Sequence, residues 1–458
     1  MMKYGIGEKY NNSIKGTMFS REQIRRLIYP LIIEQILVIT VGMTDTIMIS
    51  YAGEAAVSGV SLVDMINNLL INIFAAIATG GAVVISQYLG CKDKINASKA
   101  ATQLITVAIA ISACLMVMSM VGNRWILQLL FGSIEADVMK SASTYFMISA
   151  WSYPFLAVFN ACAAIFRSMG NAKISMKISF VMNLMNIVGN AIFIFGLSMG
   201  VAGDALSTFI SRVFGAFLLL FLVTRKENEV QISIKKIGSW EKGMVLRILH
   251  IAIPSGIENG LFQFGRVIVV SIIALFGTTQ IAANAVANSL DSMGCIAGQA
   301  MNLAMITVIG QCMGAGDKEQ AIYYTKKLWK ITYLITITVN SLILISLPWL
   351  LKLYSLSAES YRYAYILVMI HDGMAMLLWP TAFTMPNALR ASGDVKFCMV
   401  VSVFSMFMFR ILFSVIFAIG FGWGAIGVWI AMVLDWIFRA GVFTWRFLQG
   451  KWLEFKVI

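Results

Sequence analysis

Apolar runs long enough to cross a lipid bilayer recur along the whole chain. The first extends from Leu27 to Ile49, and a transmembrane helix needs about 20 such residues. It follows a basic segment, but it is too long for the apolar core of a signal peptide, so we predict a retained helix. Of the 458 residues, 59% are hydrophobic and 12% are charged, with a mean hydropathy of +0.82, whereas a soluble domain is about 45–50% apolar. The sequence therefore predicts an all-α polytopic membrane protein.

The chain contains two copies of one unit. Pro30 and Glu34 recur as Pro254 and Glu258, at a separation of 224 in both cases. The same shift relates Gln87 to Gln311, Gly90 to Gly314, Asp93 to Asp317, Gly200 to Gly424 and Gly203 to Gly427. This period is far longer than that of soluble repeat proteins, so we predict an internally duplicated membrane domain.

Each copy contains six predicted spans. They cover 24–49, 57–89, 97–121, 137–169, 172–196 and 201–224 in the first copy, and 245–276, 281–313, 320–347, 358–391, 395–420 and 425–448 in the second. We predict twelve transmembrane helices in two six-helix lobes, residues 1–224 and 248–458, joined by a cytoplasmic linker over 225–247. Because six is even, both lobes have the same orientation, which suits an axis along the membrane normal and alternating access around a central cleft.

Basic residues are concentrated in alternate loops. Of the 35 lysines and arginines, 27 lie in the segments that we place in the cytoplasm. This bias is the positive-inside signature. It predicts a multi-pass protein of the plasma (inner) membrane with both termini on the cytoplasmic side. We therefore attribute the net charge of +13 to contact with the anionic lipid bilayer and not to nucleic acid.

The sequence does not suggest a catalytic or metal centre. The six cysteines have no paired spacing, and the two histidines, His250 and His371, are far apart. We therefore expect no disulfide framework, no metal site and no enzyme activity, because neither a nucleophile with its base nor a metal cluster can be identified.

Several motifs, in order within the duplicated plan, resemble those of the multidrug and toxic compound extrusion (MATE) transporters. They are Gly42–Thr46, Thr79–Gly90, its counterpart Val308–Gly316, and the turns Arg167–Gly170 and Arg390–Gly393. The resemblance covers nearly the whole chain. It implies a secondary active efflux antiporter that exports organic cations in exchange for Na⁺ or H⁺, without a cofactor. We expect a monomer.

Four acids within predicted spans are candidates for coupling a cation or proton. Glu34 and Asp45 are eleven residues apart, so they share one helix face at about 16 Å along the axis. Glu258 lies near the middle of its span, where a charge needs a partner, a proton or a cavity. Asp372 and Asp45 resemble acids of the family on the corresponding helices, and His371 beside Asp372 could shuttle protons or could bond to a backbone carbonyl.

Alternatives remain open for these acids. A structural ion pair could satisfy Glu258, and a cap at the outer helix end could satisfy Asp45. For Asp435 we favour a pair with Arg439, one helical turn away. Pro254 predicts a kink or broken turn before Glu258, which would free carbonyl oxygens suited to Na⁺.

Polar residues on three helices are candidates for the substrate cavity. Asn183, Asn186 and Asn190 lie on one face of the fifth span and could line the cavity or join helices. In the repeat, Asp64 falls opposite Asn288 and Asn67 falls opposite Asp291, so each copy keeps one acid and one amide at swapped positions. We favour a hydrogen-bonded seam between lobes over a cation site for these residues.

Two rival functions remain. A lipid-linked oligosaccharide or lipid flippase of the same broad superfamily would need basic residues for a pyrophosphate, and the spans contain only Arg212, Arg266, Arg410 and Arg439. A membrane-embedded enzyme would show activity without an ion gradient.

Overall fold

The computed structural model describes residues 17–132, 135–354 and 356–458, which are almost entirely helical and contain no strand. The α-helices are α1 (Arg21–Ser50), α2 (Glu54–Gly90), α3 (Lys94–Val121), α4 (Asn123–Phe131), α5 (Ala136–Trp151), α6 (Tyr153–Ser168), α7 (Ala172–Asn190), α8 (Gly200–Val223), α9 (Lys242–Ala274), α10 (Thr278–Gly314), α11 (Lys318–Lys352), α12 (Ala358–Trp379), α13 (Met385–Ser392), α14 (Val395–Ser405) and α15 (Gly424–Gln449).

The described residues form twelve candidate membrane spans. Eleven helices, some of which continue through π-helical turns, are long and apolar enough to cross a bilayer. The twelfth span is the pair α5 and α6, which meet at a bend of 48°. Pro154 lies in the first turn of α6, where its missing N–H costs no helical hydrogen bond. The prediction of an all-α protein with twelve transmembrane helices in two lobes is confirmed.

The internal repeat is visible in the geometry of the elements. The helices α2 and α10 each contain 37 residues. Each follows a glycine with positive φ, 102° at Gly53 and 90° at Gly277, a conformation that a side chain would disfavour. The π-helical turns Ala191–Gly196 and Val415–Gly420 likewise recur at the shift of 224. The two copies therefore share their backbone design as well as their sequence pattern.

The chain divides into two compact units. One comprises Arg21–Gly256, and the other comprises Ile257–Ile458 with the segment that ends at Ser20. The division falls within α9, so the first half of this helix packs with the first unit. The predicted lobes, residues 1–224 and 248–458, follow the sequence repeat, and their boundaries stay a prediction.

The connection between α8 and α9 is packed against the first unit. The side-chain amide of Gln103 on α3 donates to the carbonyl of Ser239 at 2.8 Å, and the same side chain accepts from the Glu241 N–H at 3.2 Å. Val230 is fully buried. These bonds hold the predicted linker against α3 at Ser239 and Glu241.

The helix α9 is continuous through Pro254. Of the two predicted alternatives, the broken turn is therefore wrong and the kink stays a prediction. Proline removes one backbone donor, so the carbonyl of His250, four residues earlier, loses its helical partner. Nothing in this helix corresponds to the set of freed carbonyls that a Na⁺ site beside Glu258 would need.

Candidate functional site

Two of the predicted coupling acids, Glu34 and Glu258, form ion pairs with arginines of their own unit. In the second unit, Arg390 Nη2 donates to Glu258 Oε1 at 2.5 Å. In the first unit, Arg167 Nη1 lies 3.6 Å from Glu34 Oε1. Both pairs are almost completely buried, with side-chain exposures of 8–15%. The structural ion pair considered for Glu258 is thus present, and its partner comes from the motif Arg390–Gly393 at the end of the predicted span 358–391.

The face of α1 that carries Glu34 and Asp45 packs against α7. The hydroxyl of Ser175 donates to Glu34 at 3.1 Å, and the side-chain amide of Asn190 donates to Asp45 at 2.8 Å. Between them, Asn183 donates to the carbonyl of Leu37 at 3.3 Å. The prediction that the two acids share one face of the first helix agrees with these contacts to a single neighbouring helix.

Three aspartates are grouped in the first unit. Asp45 on α1, Asp64 on α2 and Asp204 on α8 lie close enough to interact electrostatically, and Arg212 is the cation that acts on all three. Asp204 is 1% exposed, and its Oδ1 has no hydrogen-bond partner among the described residues. Three carboxylates therefore share one guanidinium, which leaves an excess of negative charge within the membrane-spanning helices.

Neutral donors surround Asp64. The hydroxyl of Tyr145 donates to Asp64 at 3.4 Å, and the amide of Asn67 donates to it at 3.3 Å. Asn67 in turn accepts from the hydroxyl of Tyr153 at 2.9 Å. Arg212 donates to the hydroxyl of Ser152 at 2.7 Å. It forms no direct ion pair with a carboxylate among the described residues. The group of Asp45, Asp64 and Asp204 is called the aspartate cluster below.

The asparagines predicted for the substrate cavity all bond between helices. Asn183 reaches α1, Asn186 donates to Thr208 on α8 at 3.0 Å, and Asn190 bonds to Asp45. These bonds support the joining of helices over the lining of a cavity. The bond of Asn190 to Asp45 also places Asn190 at the aspartate cluster.

The swapped pair of acid and amide in the repeat has partners within its own units. Asn288 donates to the carbonyl of Asn284 on its own helix at 2.8 Å. Asp64 bonds to Asn67 and Tyr145, as described above. The predicted seam between lobes therefore has no support from the hydrogen bonds of these side chains.

In the second unit, His371 lies between two carboxylates. Its Nδ1 is 2.8 Å from Asp372 Oδ1, and its Nε2 is 2.5 Å from Asp291 Oδ1. The rings of Trp429 and Trp436 pack against it in T-shaped geometry, with centroids at 5.6 and 4.9 Å. The histidine thus has carboxylate partners, and the backbone carbonyl proposed as its alternative partner is not needed.

A second ionic group follows on α15. Arg439 Nε donates to Asp435 at 2.9 Å, which confirms the predicted pair one turn apart. Arg410 lies 3.8 Å from the same carboxylate, and its Nε has no hydrogen-bond partner among the described residues. Phe262 lies beneath both guanidinium groups, at 5.4 and 5.5 Å from its centroid.

Sequence reasoning missed Asp204 and the two paired arginines. Asp204 lies inside the predicted span 201–224, so its charge alone was a usable signal. Arg167 and Arg390 recur at a shift of 223, close to that of Glu34 and Glu258, and this shared periodicity was the signal that links each acid to its arginine.

Comparisons with known proteins place this geometry in context. The family model described as MatE matches residues 30–192 and 254–416, two segments related by the same shift of 224. The chain is 28% identical over 439 residues to the "Uncharacterized transporter YisQ" of Bacillus subtilis, covering 93% of this chain and 94% of that protein. It is 25% identical over 452 residues to the "Probable multidrug resistance protein NorM" of Thermotoga maritima, covering 96% and 94%.

Solved structures share the fold. A crystal structure of MATE in the bent conformation gives a TM-score of 0.87 at 20% identity, covering 94% of this chain and 96% of that one. A MOP superfamily transporter from Pyrococcus furiosus, described as having a binding pocket of reverse polarity, gives 0.88 at 20% identity, covering 95% and 97%.

Proposed function

Because the chain belongs to the MatE family, we propose that it is a secondary active multidrug efflux antiporter, which exports organic cations in exchange for Na⁺ or H⁺ by alternating access. The relatives named as multidrug resistance proteins support export of organic compounds. The protein is a multi-pass membrane protein in contact with the lipid bilayer. We further propose that it is a monomer of the plasma membrane with both termini on the cytoplasmic side.

The excess negative charge of the aspartate cluster is the observation that carries the proposal. Three carboxylates with one guanidinium cannot all remain ionised without a partner in a low-dielectric site. A proton, a Na⁺ ion or the positive charge of a substrate would each relieve this excess. These three alternatives compete for the same oxygen atoms, so binding of one favours release of another.

Competition becomes transport when the two conformations bind the ligands differently. A ligand can shift a conformational equilibrium only by the difference between its affinities for the two states. An inside-negative membrane potential adds about 2.3 kcal/mol per charge per 100 mV to inward movement of the coupling cation. We assign Asp45 to this exchange because it is half-buried and bonded only by a neutral amide in the described contacts.

The other predicted coupling acids differ from Asp45 because each is paired with a basic side chain. Glu34 and Glu258 must leave an arginine before they could bind a cation, whereas Asp372 must leave His371. We therefore rank Asp45 ahead of Glu258 and Asp372 as the site of exchange. This ranking is a proposal that transport measurements can test directly.

The test is efflux of ethidium from proteoliposomes under an imposed Na⁺ gradient or an imposed pH gradient. Efflux driven by one gradient in the wild type, and lost in Asp45→Asn, is the expected result, and it would identify the coupling ion. Asp137→Asn, an exposed aspartate in the first turn of α5, is the matched control and should transport normally. Full gradient-driven efflux in Asp45→Asn would refute the role of Asp45, and no efflux in the wild type would refute cation export.

A second candidate is flipping of an anionic lipid-linked substrate, and one observation favours it. Arg266, Arg410 and Arg439 interact electrostatically in the second unit, and Arg410 retains an unpartnered Nε. A lipid-linked pyrophosphate would pair with such a group. Dithionite-accessible movement of a fluorescent lipid-linked pyrophosphate across the same vesicles, together with no ethidium efflux, would favour this function.

A further inference from the structure

Three side chains of different metal-binding types meet in the second unit. Asp291 and Cys295 are one turn apart on α10, and His371 reaches them from α12. The Cys295 Sγ is 3.3 Å from Asp291 Oδ1, and His371 Nε2 is 2.5 Å from the same atom. One ligand atom from each of the three residues lies within 4.8 Å of the others. The spacing of these residues along the sequence does not predict the grouping.

The histidine is already oriented for such a role. Its Nδ1 faces Asp372 at 2.8 Å, and both residues are buried, at 1% and 0% exposure. A histidine that binds a metal through one ring nitrogen typically donates from the other to a carboxylate, which fixes its tautomer and ring position. Asp372 occupies the position of that outer carboxylate, and the rings of Trp429 and Trp436 restrict rotation of the imidazole.

We propose that Asp291, Cys295 and His371 bind a divalent transition-metal ion of the Zn²⁺ class, with Asp372 as the positioning residue for His371. Thiolate, imidazole and carboxylate together are a donor set typical of Zn²⁺ and Co²⁺, whereas Mg²⁺ and Ca²⁺ prefer oxygen ligands. The proposed site is separate from the aspartate cluster in the first unit, and it does not depend on the proposed antiport, because a cobalt titration detects the metal without transport.

Metal binding needs movements of the donor atoms on the order of 1 Å, because the three atoms already lie within 4.8 Å of one another. Metal–ligand distances of about 2.0–2.3 Å in a tetrahedron place neighbouring donor atoms about 3.3–3.6 Å apart. The Cys295 and Asp291 atoms already have this separation, and the His371–Asp291 hydrogen bond would lengthen by about 1 Å as the metal replaced the shared proton. The side chain of Asp291 is 22% exposed, which leaves an approach for the ion and for a water molecule as fourth ligand.

The local charges also fit a divalent ion. Asp291 and Asp372 flank the site, and Arg266 is the nearby cation that acts on Asp291 and Cys295. Binding of the metal releases the proton of the Cys295 thiol and the proton between His371 Nε2 and Asp291, so the thiolate becomes the second negative ligand beside Asp291, with Asp372 as a negative group outside the ligand set. Because the ligands come from two helices, the metal joins α10 to α12 within the second unit.

The test is a Co²⁺ titration of the purified full-length protein in detergent, followed by displacement with Zn²⁺. We expect one equivalent of Co²⁺ to give the thiolate-to-cobalt charge-transfer absorption and the visible bands of tetrahedral cobalt. Cys295→Ser keeps a hydrogen-bond donor for Asp291 and should lose the charge-transfer absorption. Asp372→Asn should keep the absorption but weaken the Zn²⁺ affinity about 10- to 100-fold, as expected for an outer partner of a histidine ligand.

Cys312→Ser is the matched control, because Cys312 lies buried on the same helix and belongs to no grouping of metal-ligand type among the described residues. It should bind cobalt like the wild type. A second measurement uses only the wild type: Zn²⁺ should slow alkylation of Cys295 relative to Cys114, as mapped by peptide mass spectrometry. Absence of stoichiometric cobalt binding, charge-transfer absorption in Cys295→Ser, or unprotected Cys295 would each overturn the proposed site.

Discussion

The two buried Glu–Arg pairs allow a quantitative prediction, because they are copies of one design at different distances. The Glu258–Arg390 contact is 2.5 Å, and the Glu34–Arg167 contact is 3.6 Å. Side-chain exposures are similar, 10% and 15% against 8% and 12%, so the costs of desolvation nearly cancel in a comparison. At an effective dielectric constant of about 20, Coulomb attraction differs by about 2 kcal/mol between these distances.

The perturbation is a double-mutant cycle in each unit, using Glu258→Gln with Arg390→Met and Glu34→Gln with Arg167→Met. Arg390→Met alone leaves a buried carboxylate and should cost about 3 kcal/mol. This is the lower end of the usual range, because Glu258 Oε2 and Arg390 Nε have no hydrogen-bond partner among the described residues. The double variant should recover part of that loss.

The assay is reversible unfolding in mixed micelles by titration with sodium dodecyl sulfate, followed by tryptophan fluorescence. The coupling energy of Glu258 with Arg390 should exceed that of Glu34 with Arg167 by about 2 kcal/mol. Equal coupling energies, or the larger one in the first unit, would refute the reasoning from distance. Ethidium efflux by the same variants would show separately whether either pair takes part in transport.

Two further predictions concern packing and a helix cap. Gly80→Ala should lower the free energy of unfolding by about 1–3 kcal/mol, because the added Cβ would lie 2.6 Å from the carbonyl of Ile248, whereas Gly243→Ala, with nothing within 4 Å, is the control. Asp93 caps α3 by accepting from the Asn96 N–H at 3.0 Å, and bonds from Asn96 hold the pKa of Asp93 below its usual value. Because a lowered folded pKa gives stability that is present above the unfolded value, the melting-temperature difference between wild type and Asp93→Ala should be full at neutral pH and should shrink below about pH 4.

Most of the fold could be predicted from the sequence, because the bilayer forces each span to be a long apolar helix with its backbone bonds satisfied internally. The repeat then fixed the number and order of spans. The Asp435–Arg439 pair was equally accessible, since partners four residues apart on a helix must be neighbours. At Pro254 the sequence left a kink and a broken turn open, and only the broken turn is excluded by the continuous helix, because a local propensity does not show whether neighbouring helices will hold the turn in place.

The candidate sites were predicted less completely, since their members come from different helices. His371 and Asp291 lie 80 residues apart on two helices separated by α11, and no periodicity relates them. Arg390 falls at the end of the predicted span 358–391, and a run of apolar residues shows where a helix ends but not how deep its last turn lies. Contacts of this kind depend on how helices are rotated about their axes, and this rotation is set by packing of the whole unit.

The division within α9 determines where the protein can be split into two co-expressed fragments. The covalent connection between the sequence copies lies before Lys242, but the first compact unit continues to Gly256. In that unit, Gly80 lies directly against the backbone of Ile248, and Arg247 donates to the hydroxyl of Tyr88. A polypeptide ended at the linker would lack this half-helix and expose the surface that it covers. A split into two co-expressed fragments should therefore leave residues 242–256 with the first fragment, although the duplicated sequence suggests an earlier cut.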